Sequence, residues 1–290
     1  MALGLWQVAG KTGLRWPVRP DPASGRKTLA ASCAHSLAMP AAQLGRAACP
    51  VILICRLMPV TPSTAAVADR LAAPACASLF VLGAAGQGVH WVALALIHCL
   101  RQQGLRTTAL MPVACDAQWH NGRWYSERVA QLKAHSSFAF PAAALCTVPA
   151  PDPSASPPRP VALRDVLDSY QALATWSDAV VVDGVGEPEA LLAPELSLRE
   201  LARWMRLPVV IVCEDSEAAW HAFCALLTRC RAQGIRVAGW VQLGCRPLRG
   251  DAGIPLLGTV PWQALSQPVE AAAHIDGLRL LQGLQRPSAS

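Results

Sequence analysis

Gly83 and Gly88 bracket a run of small residues, Gly83-Ala84-Ala85-Gly86-Gln87-Gly88, that follows the apolar stretch Leu79-Phe80-Val81-Leu82 and leads into Val89-His90. Glycines at this spacing, between a strand and a helix, let backbone N–H groups close around a phosphate. In a P-loop the pattern continues with a lysine that reaches the outer phosphates and a Ser or Thr that holds magnesium. Here the lysine position is Val89 and the hydroxyl position is His90. Gly83, Gly86, Gly88, Val89 and His90 therefore form a remnant of a phosphate loop. The backbone donors at a helix start persist, and the side-chain chemistry does not. A protonated imidazole at His90 could supply part of the missing charge, or His90 is a polar residue at a helix start with no role.

Asp183 is the second candidate. It closes the run Ala179-Val180-Val181-Val182 just before Gly184, so it offers a carboxylate for a metal, or else it starts a turn. Glu214, Asp215 and Glu217 make an acidic cluster that the dipole at a helix start would favour; as a site it would repel phosphate and select a cationic ligand. His120, Arg123, Trp124 and Tyr125 form a polar and aromatic patch in a long connection, placed to cover a cleft or meet a partner. A literal Gly10-Lys11-Thr12 lies near the amino terminus, but too few residues precede it to form a strand, and Pro17, Pro20 and Pro22 break any helix after it. No spacing supports a Ser-His-Asp or Cys-His arrangement.

Charge is unevenly placed. Residues 1–78 hold eight Lys or Arg and two acids, and the remaining residues hold seventeen of each. The net charge of +6 thus belongs to the first segment and does not describe a nucleic-acid-binding domain. The three lysines are Lys11, Lys27 and Lys133, too few for a mechanism that surrounds a polyphosphate with them. Eleven cysteines without a C-x-x-C argue against zinc and disulfides and suit free thiols in a reducing cytoplasm. Residues 1–76, rich in Ala, Pro, Arg and Ser, read as a low-complexity or disordered extension, although their composition also suits a transit peptide. No charge occurs from Leu71 to Leu100, long enough to span a membrane. Pro74, the glycines and two histidines interrupt the run, which favours a buried strand, a glycine loop and a helix closing near Gly104.

Downstream, strands are expected at Arg106–Val113, Asp178–Asp183, Pro208–Cys213, Arg236–Leu243 and Pro255–Val260. Helices are expected at Val161–Trp176, Ser197–Arg206 with a Ser197/Glu200 capping box, Asp215–Gln233 and Pro268–Gln285. Residues 114–160 read as a long connection, flexible over Pro149–Pro160. Continuous Val/Ile runs alternating with helices describe a doubly wound parallel α/β sheet in one domain, residues 77–290. Ligands on such sheets bind at the carboxyl ends of the strands, where the glycine loop, Asp183 and Glu214 all fall.

Five phrases in order resemble dethiobiotin synthetase, a carboligase of the P-loop NTPase fold. Leu110-Met111-Pro112-Val113 looks like that family's strand ending in Lys-Pro-Val, and Val182-Asp183-Gly184-Val185-Gly186 like Glu-Gly-Ala-Gly. Leu207-Pro208-Val209-Val210-Ile211-Val212, Ala238-Gly239-Trp240-Val241 and Leu256-Leu257-Gly258-Thr259-Val260-Pro261-Trp262 match the later strands. The resemblance implies ATP-dependent carboxylation and ring closure of 7,8-diaminopelargonate in biotin synthesis, with ATP and Mg as cofactors and Asp183 as a metal-binding carboxylate. It also implies a homodimer or pairing with a homologous synthetase, in the cytoplasm. The family's lysine positions are Val89 and Met111 here, and its base-recognising Asn-Asp is Leu243-Gly244. The expectation is a degenerate member with reduced or lost ATP chemistry. The alternatives are a non-catalytic binding or scaffold protein with an altered ligand or partner, and an enzyme anchored by His90 and Asp183.

Overall fold

The computed structural model describes residues 77–84, 88–149, 161–184, 187–189, 191–193, 196–246, 248 and 250–285. The 1–76 extension, the Lys11-Thr12 decoy, Gly86 and most of the Pro149–Pro160 stretch lie outside the described residues.

Seven parallel strands form the central sheet. In chain order its members are β1 (Leu79–Gly83), β2 (Thr107–Ala114), β5 (Cys146–Pro149), β6 (Ala179–Gly184), β9 (Val209–Glu214), β10 (Val237–Leu243) and β11 (Leu256–Val260). In space they run β11-β10-β9-β1-β6-β2-β5. Every residue of β1 and β6 is buried, as expected for strands covered on both faces. Small antiparallel hairpins, β3 (Gln118–His120) with β4 (Arg123–Tyr125) and β7 (Leu191–Ala193) with β8 (Leu196–Ser197), stand outside the sheet.

Right-handed crossovers decide which face each helix covers. From β1 to β2 and from β2 to β5 the chain moves one way, carrying α1 (Val89–Gln102), α2 (Glu127–His135) and the short α3 (Ala142–Leu145). From β5 to β6, β6 to β9 and β9 to β10 it moves the other way, carrying α4 (Leu163–Ala174), α5 (Leu198–Met205) and α6 (Glu217–Ala232) over the opposite face. After β11 a 3-10 turn (Trp262–Ser266), α7 (Pro268–Ala273) and α8 (Gly277–Gln285) return to pack on α1. β1 sends its helix to one face while its neighbours β6 and β9 send theirs to the other, so the carboxyl end of β1 is a switch point of the sheet.

α1 explains the charge-free run. Ten of its residues are buried, because it lies between the sheet and the pair α7–α8. No helix among the described residues is long and apolar enough to cross a membrane.

Two expectations are corrected, and one hairpin was not anticipated. Within the expected 114–160 connection, residues 114–149 supply a hairpin, two helices and the edge strand β5. The long last helix is two helices, interrupted where Ile275 bridges to Gly258. The segment before α5 holds the β7–β8 hairpin. The Ser197/Glu200 capping box forms as read.

Candidate functional site

β1 ends in Gly83, and the chain re-enters regular structure at Gly88, the N-cap of α1, whose φ is 73°. A side chain there is strained by the left-handed backbone, and a Cβ would run into the Leu243 side chain. Val89 and His90 open the helix, and both are buried. The same crowding explains Gly184 at the end of β6, where a Cβ would strike the Val81 carbonyl and the Phe80 ring. Val81 of β1 stands in register with Asp183 of β6, which brings the phosphate-loop remnant and the carboxylate to one end of neighbouring strands.

Their side chains meet. His90 Nδ1 lies 2.6 Å from Asp183 Oδ2, and His90 Nε2 lies 2.8 Å from Gln131 Oε1 on α2. Gln131 Nε2 donates to Glu127 Oε1 at 3.5 Å, which fixes the amide with its oxygen toward the ring. The Gln131 oxygen accepts from Nε2–H, and the short contact of Nδ1 with the Asp183 carboxyl favours a proton on the second ring nitrogen as well, the charged form of the imidazole. Burial works against that charge. The hydrogen bond and charge of Asp183, with the Gln131 bond, outweigh burial and the repulsion of Arg128, and hold the imidazole above its ordinary 6.5. Asp183 is 1% exposed, and its second oxygen, Oδ1, is buried with no hydrogen-bond partner.

Met111 lies within β2 and is 0% exposed; its register partner is Cys146 of β5. The Lys-Pro-Val position is therefore a core position here, short of the strand end. Leu243, at the end of β10, is 0% exposed and lies against Gly88, which Leu265 of the 3-10 turn also approaches. Glu214, its register partner on β9, has a buried Oε1 without a partner, and burial followed by the charge of Asp215 pushes its carboxyl up. Asp215 accepts the Arg246 backbone N–H at 2.9 Å, and Ser216 caps α6 ahead of Glu217. The acidic cluster thus divides: Asp215 and Glu217 serve local structure, and Glu214 is half-buried in register with Leu243.

His120, Arg123, Trp124 and Tyr125 fall together on the exposed β3–β4 hairpin. Its turn, Asn121-Gly122, has positive φ at both residues, as a two-residue hairpin turn requires. Trp119 and Trp124 pair edge to face across the strands at 5.1 Å.

Two features escaped the sequence. Gln131 gave no signal, because the Val129/Leu132 spacing that marks α2 was read as loop. Buried Arg199 grips Glu189 with two bonds of 2.8 and 2.9 Å, and Arg229 adds a third at 3.1 Å. Hydrogen bonding to Arg199 holds the Glu189 carboxyl below its usual range. This cluster ties the segment beyond Asp183 to α5 and α6, and only proximity in space reveals it.

The AAA domain family matches residues 77–270. The ATP-dependent dethiobiotin synthetase BioD of Aromatoleum aromaticum is 32% identical over 208 residues, covering 65% of this chain and 91% of the relative. The protein of that name from Xanthomonas euvesicatoria is 27% identical over 216 residues, covering 67% and 93%. Among solved structures, a ParA family ATPase from Chlorobium tepidum aligns with a TM-score of 0.42 and 12% identity, over 73% of this chain and 97% of that one.

Proposed function

Since this chain belongs to the dethiobiotin synthetase family, we propose that it is a member whose ATP chemistry is reduced or lost and whose switch-point cleft is filled by its own side chains. The observation that carries this reading is the buried His90–Asp183 pair. A productive site would need the Asp183 carboxylate and a hydroxyl at position 90 for Mg, and a lysine at position 89 for the phosphates. Asp183 Oδ2 is instead engaged by His90, and both ring nitrogens of His90 are used inside the protein. Val89 and Met111, the family's lysine positions, face the core. Leu243 packs against Gly88 where the base-recognising asparagine would stand.

These residues do not fit Mg-ATP. Each charge-assisted hydrogen bond to a phosphate contributes about 1.5–3 kcal/mol. Losing several weakens binding by roughly three or more orders of magnitude, at about 1.4 kcal/mol per factor of ten. On this reading the protein acts in the cytoplasm as a binding or scaffold partner, as a homodimer or paired with a competent homologous synthetase.

One observation favours a second reading, an enzyme with an altered site. The buried Asp183 Oδ1 has no partner, and such an oxygen can accept a bond from a ligand. Complementation of a biotin auxotroph lacking the synthetase separates the two. No growth without dethiobiotin is expected, and growth would overturn the main reading. Calorimetric titration with Mg-ATP is expected to show no binding in the micromolar range; binding there that disappears in His90→Ala would establish the second reading.

A further inference from the structure

α2 is held to α1 at two points along its length. Gln131, in its middle, receives His90. At its end, His135 Nδ1 lies 2.8 Å from His98 Nε2 of α1, with the rings edge to face at 4.9 Å. Arg101 Nη1 adds a bond to the His135 carbonyl at 3.1 Å. The two imidazoles are half-buried and lie within reach of solvent protons.

The contact between them is a single N–H···N bond, and its response to protons follows from that. In the neutral pair one nitrogen donates and the other accepts. A first proton can go to the far nitrogen of the donor ring, leaving the bond in place. A second proton must go to the accepting nitrogen itself, which sets two N–H groups and two positive charges face to face.

We propose that the His98–His135 contact is an acid-sensitive clasp that holds α2 on α1 while the pair carries at most one extra proton and releases the end of α2 when both rings are charged. The surroundings favour release. Burial, each other's charge and Arg101 lower the affinity of His98 for protons; burial, Arg101 and His90 do the same for His135. The charged groups acting on the pair, Arg101 and His90, are both positive. β2 and α3, packed on α2, bring no titratable side chain. Glu270 of α7 and Arg279 of α8 do not act on either ring. No carboxylate therefore compensates the doubly charged state. Releasing the end of α2 loosens the helix that carries Gln131, so the clasp connects solvent acidity to the packing around His90 without titrating His90 itself.

The test is backbone hydrogen exchange of the full chain at about pH 7 and about pH 5, corrected for intrinsic rates, with residues 127–135 compared against β1 and β6. The expected result is about tenfold or greater loss of protection in 127–135 at the lower pH with the strands unchanged. His98→Gln, whose amide can either donate to or accept from His135, and His135→Asn, which keeps an acceptor near the Nδ1 position, are each expected to keep protection at both pH values. Unchanged protection in the wild type overturns the proposal, and so does equal loss in either variant. If one variant fails to fold, the other decides. The outcome does not depend on whether ATP binds.

Discussion

At His90 two effects of opposite sign meet, and their balance sets what substitution does. Removing one member of a buried ion pair strands the other, which costs about 3–5 kcal/mol, whereas replacing both with apolar groups of similar size is close to neutral. His90→Ala and Asp183→Ala are each expected to destabilise by roughly that amount in chemical denaturation. His90→Leu combined with Asp183→Val is expected to recover most of it, giving a large coupling in a double-mutant cycle. The pH dependence has a matching sign. His90 is held above 6.5 in the folded chain, so its stabilisation is complete below the unfolded value and is lost as pH rises through the folded one. His98 and His135 are held below 6.5, so theirs is complete above the unfolded value and is lost as pH falls. Melting temperature against pH should therefore fall on both sides of about 6.5, and His90→Asn should flatten the alkaline limb alone. The glycine spacing and Asp183 could be read from the sequence because strand-end motifs are local. Their joining through His90 could not, since residues 90 and 183 meet only when β1 and β6 lie side by side.

At the scale of elements, the Glu189–Arg199 grip explains how a short segment beyond β6 is fixed. Arg199 is 8% exposed and Arg229 lies in solvent. Glu189→Ala leaves the buried Arg199 with Gln233 as its remaining side-chain partner and, because Glu189 itself is solvent-exposed, is expected to cost about 1–2 kcal/mol. Arg229→Ala breaks an exposed pair and is expected to cost less than about 1 kcal/mol. Thermal unfolding of both variants, side by side, checks the difference. The capping box gives an independent calibration: Ser197→Ala is expected to cost about 1 kcal/mol, and Ser197→Asp much less. That box was legible because Ser197 and Glu200 are three residues apart. β5 was not, because Cys146-Thr147-Val148-Pro149 is only four residues long and ends in a proline, tolerated since the strand sits at the sheet edge. The hairpin was read as loop for a similar reason, since its strands are three residues each and exposed on both faces, without the alternation that marks a half-buried strand.

For the whole molecule, the uninterrupted apolar strands specified the parallel sheet correctly, and crossover handedness fixes which face each helix takes once the strand order is set. A chain of residues 77–290 is expected to unfold in a single cooperative transition with the α/β circular dichroism of the full protein; a broad or multistep transition would reject 77–290 as an independent domain. The strand order has one further consequence, which concerns time. Both neighbours of β1 in the sheet, β6 and β9, are encoded about a hundred residues or more after it. At a synthesis rate of about 5–20 residues per second, this wholly buried strand leaves the ribosome roughly 5–20 seconds before either of its sheet partners. During that interval Leu79–Gly83 and the buried face of α1 lack both strands that flank β1 in the sheet, so the nascent chain is exposed to aggregation, and in need of a chaperone, before Asp183 has been made.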